Sequence, residues 1–320
     1  MIGRQKLLWM AIGGGVVLAL ALASCGVLGI VAASLGATTS STVVTGPAVA
    51  IVRVEGVIVS GKPASTNPFG SNSSTAYSGV IVEHLRQAEA DASVKAVILR
   101  VDSPGGSVVA SHEIHQQMLA MTKPVIVSMG ELAASGGYYV SAPAKEIWAN
   151  PATLTGSIGV ISQFINVGDL LKQYGVTITT VKSGAFKDEG SPFRPMTDEE
   201  VAVWQAIIDE AYQGFVQVVA DGRKLPVDRA KKLADGRVYT GQQALGLGLV
   251  DKLGNLPDAT KRAAELGGIQ GEPRIVEYKE PLNLFGSLFN LSRPTDPVGE
   301  VMTLLDRGHG PALQYLYVGP

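Results

Sequence analysis

Apolar and polar positions divide the chain into three parts. Leu7 to Leu35 carries no charged side chain and is almost continuously apolar. Gly36 to Gly46 is rich in Ser, Thr and Gly. From Ala48 onward, short apolar runs alternate with stretches of helical spacing. A helix of roughly 20 apolar residues crosses the hydrocarbon core of a bilayer, so the first part is long enough to span one. Arg4 and Lys6 precede it, and the next charged residue is Arg53. Positive flanks stay inside, which places the N-terminus in the cytoplasm and everything after about residue 37 outside. The expected organisation is a membrane anchor over 1–36, a linker over 37–47, a folded domain over 48–270 and an extension over 271–320 with no assignable role.

One alternative concerns the anchor. Leu22-Ala23-Ser24-Cys25 has the form of a bacterial lipobox, which would make Cys25 a lipid attachment site. The apolar run continues through Gly26 to Val31, where a lipoprotein turns polar. Both readings tether the folded part outside. A cleaved secretory signal has an apolar core of roughly 7–15 residues, shorter than this run.

In the folded part, Ala48 to Val59 reads as a first strand and turn, and Gly61 to Ser78 as a polar loop. Buried strands are expected at Ala96 to Val101 and Pro124 to Met129, and further strands at Glu146–Ala149, Val160–Ile165 and Val176–Val181. Helices are expected at Gly79–Ala90, Ser107–Met121, Ala133–Ala142, Asp228–Leu233, Gly241–Leu245 and Pro257–Leu266. Thr197 followed by Glu200 is a capping box. It opens a long helix whose stripe is Val201, Trp204, Ile207, Ile208, Ala211 and Phe215. Strand and helix alternate, so the fold class is α/β with a largely parallel sheet.

Composition then removes function classes. Net charge is −2 with no long basic run, which argues against nucleic acid as a partner. The one cysteine permits neither an internal disulfide nor a zinc-binding cysteine cluster. None of the four histidines forms an HExxH pair, no GxxxxGK[ST] occurs, and no cofactor is expected.

Three segments carry chemistry. Asp102-Ser103-Pro104-Gly105-Gly106-Ser107 lies between a strand and a helix, where uncovered N–H groups suit a developing oxyanion; an ordinary glycine turn reads the same way. Ala133-Ala134-Ser135-Gly136-Gly137 puts a serine among small residues at a strand-to-helix junction, as a nucleophile or a helix cap. Lys182-Ser183-Gly184-Ala185-Phe186-Lys187-Asp188 offers a lysine that acts as a base only when its amine is desolvated or meets positive charge; otherwise it is a solvated surface residue. Asp102 reads as a turn residue, and His112 and His115 as packing or surface residues of a helix.

Taken in order, DSPGGS, ELAASGGYYVSAPA, PATLTGSIGV and SGAFKDEGSPFRPMTDEE resemble the signal peptide peptidase A family of the Clp protease and crotonase superfamily. The resemblance covers roughly Ala48 to Glu265. It implies a Clp/crotonase-like fold with flanking helices behind an N-terminal transmembrane helix. It implies Ser135 as nucleophile, Lys187 as general base, Ser157 as the residue orienting that lysine, and backbone N–H groups of Gly105, Gly106 and Gly136 as the oxyanion hole. The implied reaction is peptide hydrolysis through an acyl-enzyme. Implied partners are cleaved signal peptides and other apolar peptides, the membrane, and further copies of the chain in a homo-oligomer, an eight-membered ring in which serine and lysine come from neighbouring subunits. Apolar lining near Tyr138, Tyr139 and Phe186 would receive hydrophobic side chains. Two alternatives share the resemblance: a stomatin-type membrane-protein protease and a non-catalytic ring scaffold.

Overall fold

The computed structural model describes residues 46–63, 75–278 and 313–317. The expected anchor, Cys25 and His309 lie outside the described residues, as do most of the linker and part of the polar loop. Among the described residues, no helix is long and apolar enough to cross a membrane.

The elements follow in chain order. First come β1 (Ala48–Glu55), β2 (Val57–Val59), β3 (Thr75–Tyr77), α1 (Ser78–Ala90), β4 (Val94–Ser103), β5 (Gly105–Ser107) and α2 (Val108–Leu119). The middle holds β6 (Val125–Ala134), α3 (Gly136–Ser141), β7 (Glu146–Ala149), β8 (Leu154–Gly156), α4 (Gly168–Gln173) and α5 (Asp198–Arg223). The last are α6 (Val227–Leu233), β9 (Val238–Thr240), α7 (Gly241–Leu247), β10 (Lys252–Leu253), α8 (Leu256–Leu266), β11 (Arg274–Glu277) and β12 (Gln314–Leu316).

The main sheet runs β10-β7-β6-β4-β1-β11, all parallel, with β8 parallel to β6 and β9 antiparallel to β8. Helices cover both faces, which is why Ala96 to Leu99 of β4 reads as an unbroken apolar run. Its Val97, Leu99 and Val101 enter the larger core with Leu85, Ile114 and Phe215. Ala96 and Ile98 face the other way, onto Ala259, Ala263 and Ala264 of α8. A smaller sheet, β12-β5-β2-β3, stands at the C-terminal ends of β1 and β4. Ligands of parallel α/β sheets gather at that end of the strands. Two strands of the 271–320 extension thus join the domain: β11 at the edge of the main sheet and β12 beside β5.

Three expectations are corrected. Val160–Ile165 and Val176–Val181 are not strands; only Ile161 forms a bridge, to Gln314. Val176, Ile178 and Val181 are 42%, 46% and 94% exposed, so the β-branched run meets no neighbouring strand. Ala133 and Ala134 belong to β6, because they pair with Thr155 and Gly156 of β8, and the helix begins only at Gly136. The apolar stripe of α5 is buried from Phe215 onward, whereas Val201 and Ile207 in its first half face outward.

Candidate active site

The site forms where β4, β6 and β8 end. After β4 the chain turns through Ser103-Pro104-Gly105, and the Ser103 hydroxyl fixes the turn. It donates to Gly56 O at 2.7 Å and accepts from Gly105 N–H at 3.0 Å. Gly105 and Gly106 have φ of 96° and 154°. A Cβ on Gly106 would lie 2.0 Å from Ile58 O, and one on Gly105 would lie 2.5 Å from Gly136 N. Only glycines let these three backbones meet. Asp102 is a strut here: its Oδ1 accepts from Leu132 N–H at 3.1 Å, across the register shift between β4 and β6.

Ser135 joins β6 to α3 with φ 53° and ψ −116°. Such a backbone is costly for a residue with a Cβ and collects at functional sites. Its side chain makes no cap hydrogen bond, so the helix-cap reading fails. Its N–H donates to Gly156 O and its carbonyl accepts from Tyr139 N–H, both at 2.8 Å. Gly136 is the first residue of α3, so its N–H has no intrahelical acceptor. Ser157 follows Gly156 and is also held at positive φ, 48°. Its N–H donates to Arg237 O at 2.8 Å. Among the described residues, three non-glycines have positive φ, and two of them are these serines. Both are buried, at 1% and 8% exposure.

The structure therefore brings Ser135, Ser157, Gly105, Gly106 and Gly136 to one place. The Gly105 N–H is engaged by Ser103 and Gly106 is paired with Tyr315 in the β5–β12 ladder, whereas the Gly136 N–H, at the start of α3, has no intrahelical acceptor. Lys187 is not joined to them within the chain. It lies exposed in a run of turns, its N–H donating to Gly184 O at 3.2 Å. Among the described residues, no hydrogen bond or ion pair links its amine to either serine. Its segment is nevertheless held in shape. Asp188 accepts from Lys182 at 2.5 Å and from Arg194 at 2.7 Å, and Arg194 also grips Glu200. Arg194, then Lys182, holds the Asp188 carboxyl well below the usual carboxylate range. Arg194, then the Thr197 N–H, lowers Glu200 to about 2.

The aromatic lining differs from expectation. Tyr138 is fully buried, its hydroxyl on Leu249 O at 2.8 Å, and lines nothing. Tyr139 instead forms a cluster with Phe215 and Tyr315. His112 Nδ1 lies 3.2 Å from the Tyr139 hydroxyl, and the His115 ring packs on Tyr139, so both histidines are packing residues. Burial, then His112, pushes His115 down to about 4. Residues 313–317 form the other wall, with β12 on β5 and Gln314 on Ile161. No sequence signal marks Tyr315: it stands in an unremarkable local context, and only the fold makes it a neighbour of Gly106.

A strained serine beside the N–H of a helix start, at the ends of parallel strands, fits a serine peptidase of Clp-like α/β fold. Comparison with known proteins agrees. The model of peptidase family S49 matches residues 117–270, and that of Clp protease matches 68–152. "Putative protease MJ0651" of Methanocaldococcus jannaschii is 42% identical over 231 residues, covering 71% of this chain and 74% of its own. "Putative signal peptide peptidase SppA" of Enterococcus faecium is 40% identical, covering 70% and 65%. "Protease 4" of Salmonella typhi is 38% identical over 73% of this chain but only 38% of its own length. The chain belongs to peptidase family S49, among relatives named SppA and protease 4.

Proposed function

We propose that the chain is a membrane-anchored endopeptidase that uses Ser135 as nucleophile and Lys187 as general base to cleave remnant signal peptides and other apolar peptides outside the cytoplasm. The carrying observation is the positive φ of Ser135 at the β6–α3 junction, with Gly136 N–H beside it. A lysine amine takes the Ser135 proton as Oγ attacks the peptide carbonyl. The N–H groups of Gly106 and Gly136 stabilise the oxyanion. The amine then protonates the leaving nitrogen and later activates water against the acyl-enzyme. Ser157 orients the amine.

Lys187 reaches this site from a neighbouring copy of the chain, in a homo-oligomer of eight subunits. Its exposed position and the outward-facing Val181 and Phe186, 94% and 45% exposed, support that reading. A surface this apolar favours a covering partner. The anchor over 1–36, or a lipid on Cys25, holds the assembly on the membrane.

Complementation tests the shared site. Ser135→Ala and Lys187→Ala each abolish hydrolysis of apolar peptides. Co-expressed, they regain roughly a quarter of the wild-type sites, since random assembly pairs intact serine with intact lysine that often. No recovery in mixed assemblies would place both groups in one subunit, and near wild-type turnover by Lys187→Ala would remove it as the base.

A further inference from the structure

A pocket of about 470 Å³ opens where α2, the α3–β7 turn and the end of α5 meet. None of its lining residues belongs to the Ser135 turn. Leu119, Pro143 and Val218 give it an apolar wall, and Lys145 and Lys224 stand exposed at its mouth. Two other lining residues are buried: His115 is 7% exposed and the Arg223 side chain 6%. A cavity of this size and mixture suits a small organic molecule better than a bare ion.

Two buried polar atoms of these side chains have no hydrogen-bond partner among the described residues: Nε of Arg223 and Nδ1 of His115. The Arg223 guanidinium is fixed from another side, with Nη2 on Asp251 Oδ1. Asp251 is fixed in turn, its Oδ2 accepting from Ile147 N–H at 2.7 Å. The Arg223 Nε–H can only donate, and a neutral imidazole donates from Nδ1 in one of its tautomers. Native structures seldom leave a buried donor without an acceptor. Two such donors lining one cavity call for an acceptor inside it.

Charge selects that acceptor. Lys145, Arg223 and Lys224 meet Asp221 and Asp251 around the pocket, which leaves one positive charge in surplus. Asp221 is already engaged, since Gln217 Nε2 donates to it at 2.7 Å. A monoanion therefore balances the set. A carboxylate brings two oxygens to the two donors, in charge-assisted hydrogen bonds.

We infer that this pocket is a binding site for a small organic carboxylate, with Arg223 Nε–H and His115 Nδ1–H donating to its oxygens, Lys145 and Lys224 attracting it at the mouth, and Leu119, Pro143 and Val218 covering its apolar body. The His115 ring also packs on Tyr139, whose N–H donates to Ser135 O, so the pocket adjoins the active site without sharing its residues. The assignment does not depend on which residue is the nucleophile or the general base.

The test is calorimetric titration of the full chain with 4-methylpentanoate, with its amide and with inorganic phosphate. The acid binds at least about tenfold more tightly than the amide, which has the same shape and no charge. Phosphate is mostly a dianion at neutral pH and has no carbon body, so it binds more weakly than the acid. Lys145→Gln together with Lys224→Gln weakens the acid about fivefold and leaves the amide unchanged. His115→Phe keeps a ring on Tyr139 and removes the donor, for a loss of about tenfold. Arg223→Lys keeps a cation beside Asp251 and removes the Nε–H, with a similar loss. Should that variant not fold, the lysine pair and His115→Phe decide the matter. No binding of the acid, equal affinity for acid and amide, tighter binding of phosphate than of the acid, or an acid affinity unmoved by the lysine pair and His115→Phe overturns the inference.

Discussion

Ser135 N–H donates to Gly156 O at 2.8 Å, so the nucleophile candidate and Ser157 hang on consecutive links of one β6–β8 pairing. Both serines carry positive φ because the strands continue into this pairing until the last residue before each turn. The sheet thereby imposes a local backbone that neither serine would choose alone. Strain of this kind persists only where the surroundings over-determine it.

That relationship separates activity from stability at Ser135. Ser135→Gly removes the hydroxyl and relieves the positive φ. Hydrolysis is expected to fall at least about a thousandfold. Unfolding free energy is expected to rise by about 1 kcal/mol, the relieved strain less the extra entropy of glycine in the unfolded chain. Denaturant titration beside a peptide assay reads both. A glycine variant less stable than the parent would mean that the conformation is unstrained.

Gly106 makes the converse case. A Cβ there would meet Ile58 O at 2.0 Å, where β2 pairs with β5. Neither backbone can yield without parting the strands. Gly106→Ala is expected to cost about 2 kcal/mol or more, and to abolish hydrolysis even in the fraction that folds. Thermal unfolding and activity per folded molecule are the readouts.

Arg194 shapes the Lys187 loop through Asp188 and Glu200. Arg194→Ala leaves both carboxylates without their main partner, and kcat is expected to drop about tenfold while KM changes little. Arg194→Lys recovers part of this, because an ammonium cannot fork between two carboxylates. Glu200 is depressed in the fold, so its contribution is complete above its unfolded value of 4.5 and is lost as pH falls towards about 2. The loop should therefore hold its shape down to pH 5. Loss of activity in parallel with titration of this pair at neutral pH would contradict the assignment.

His115 titrates in a different window. Its folded value of about 4 lies below the ordinary 6.5, so the fold prefers the neutral ring. Between those values the unfolded chain binds more protons, and stability falls as pH drops from 6.5 towards 4. The loss amounts to at most about 3 kcal/mol. It should largely vanish in His115→Gln, as measured by the denaturation midpoint against pH. An unchanged slope in that variant would assign the effect to other groups.

The turns on either side of Ser135 and their glycines were legible in the amino-acid sequence because the constraint on them is steric: Gly105, Gly106 and Gly136 lie where any other side chain would collide. The capping box at Thr197 and Glu200, and the doubly buried run of β4, were legible too. The run from Val176 to Val181 misled, since alternation proposes a strand and only a neighbouring strand can accept it. The helix expected from Ala133 begins three residues later, at Gly136, because β8 claims Ala133 and Ala134 through pairings far along the chain.

What the sequence alone determined, then, is the alternating α/β order, the glycine-lined turns and the serine between them, all set by steric rules acting over a few residues. Tertiary structure decided the rest. It buried Tyr315 between Tyr139 and Phe215 and left Lys187 facing outward, because burial and pairing depend on which distant segments share a surface. No local pattern records that choice.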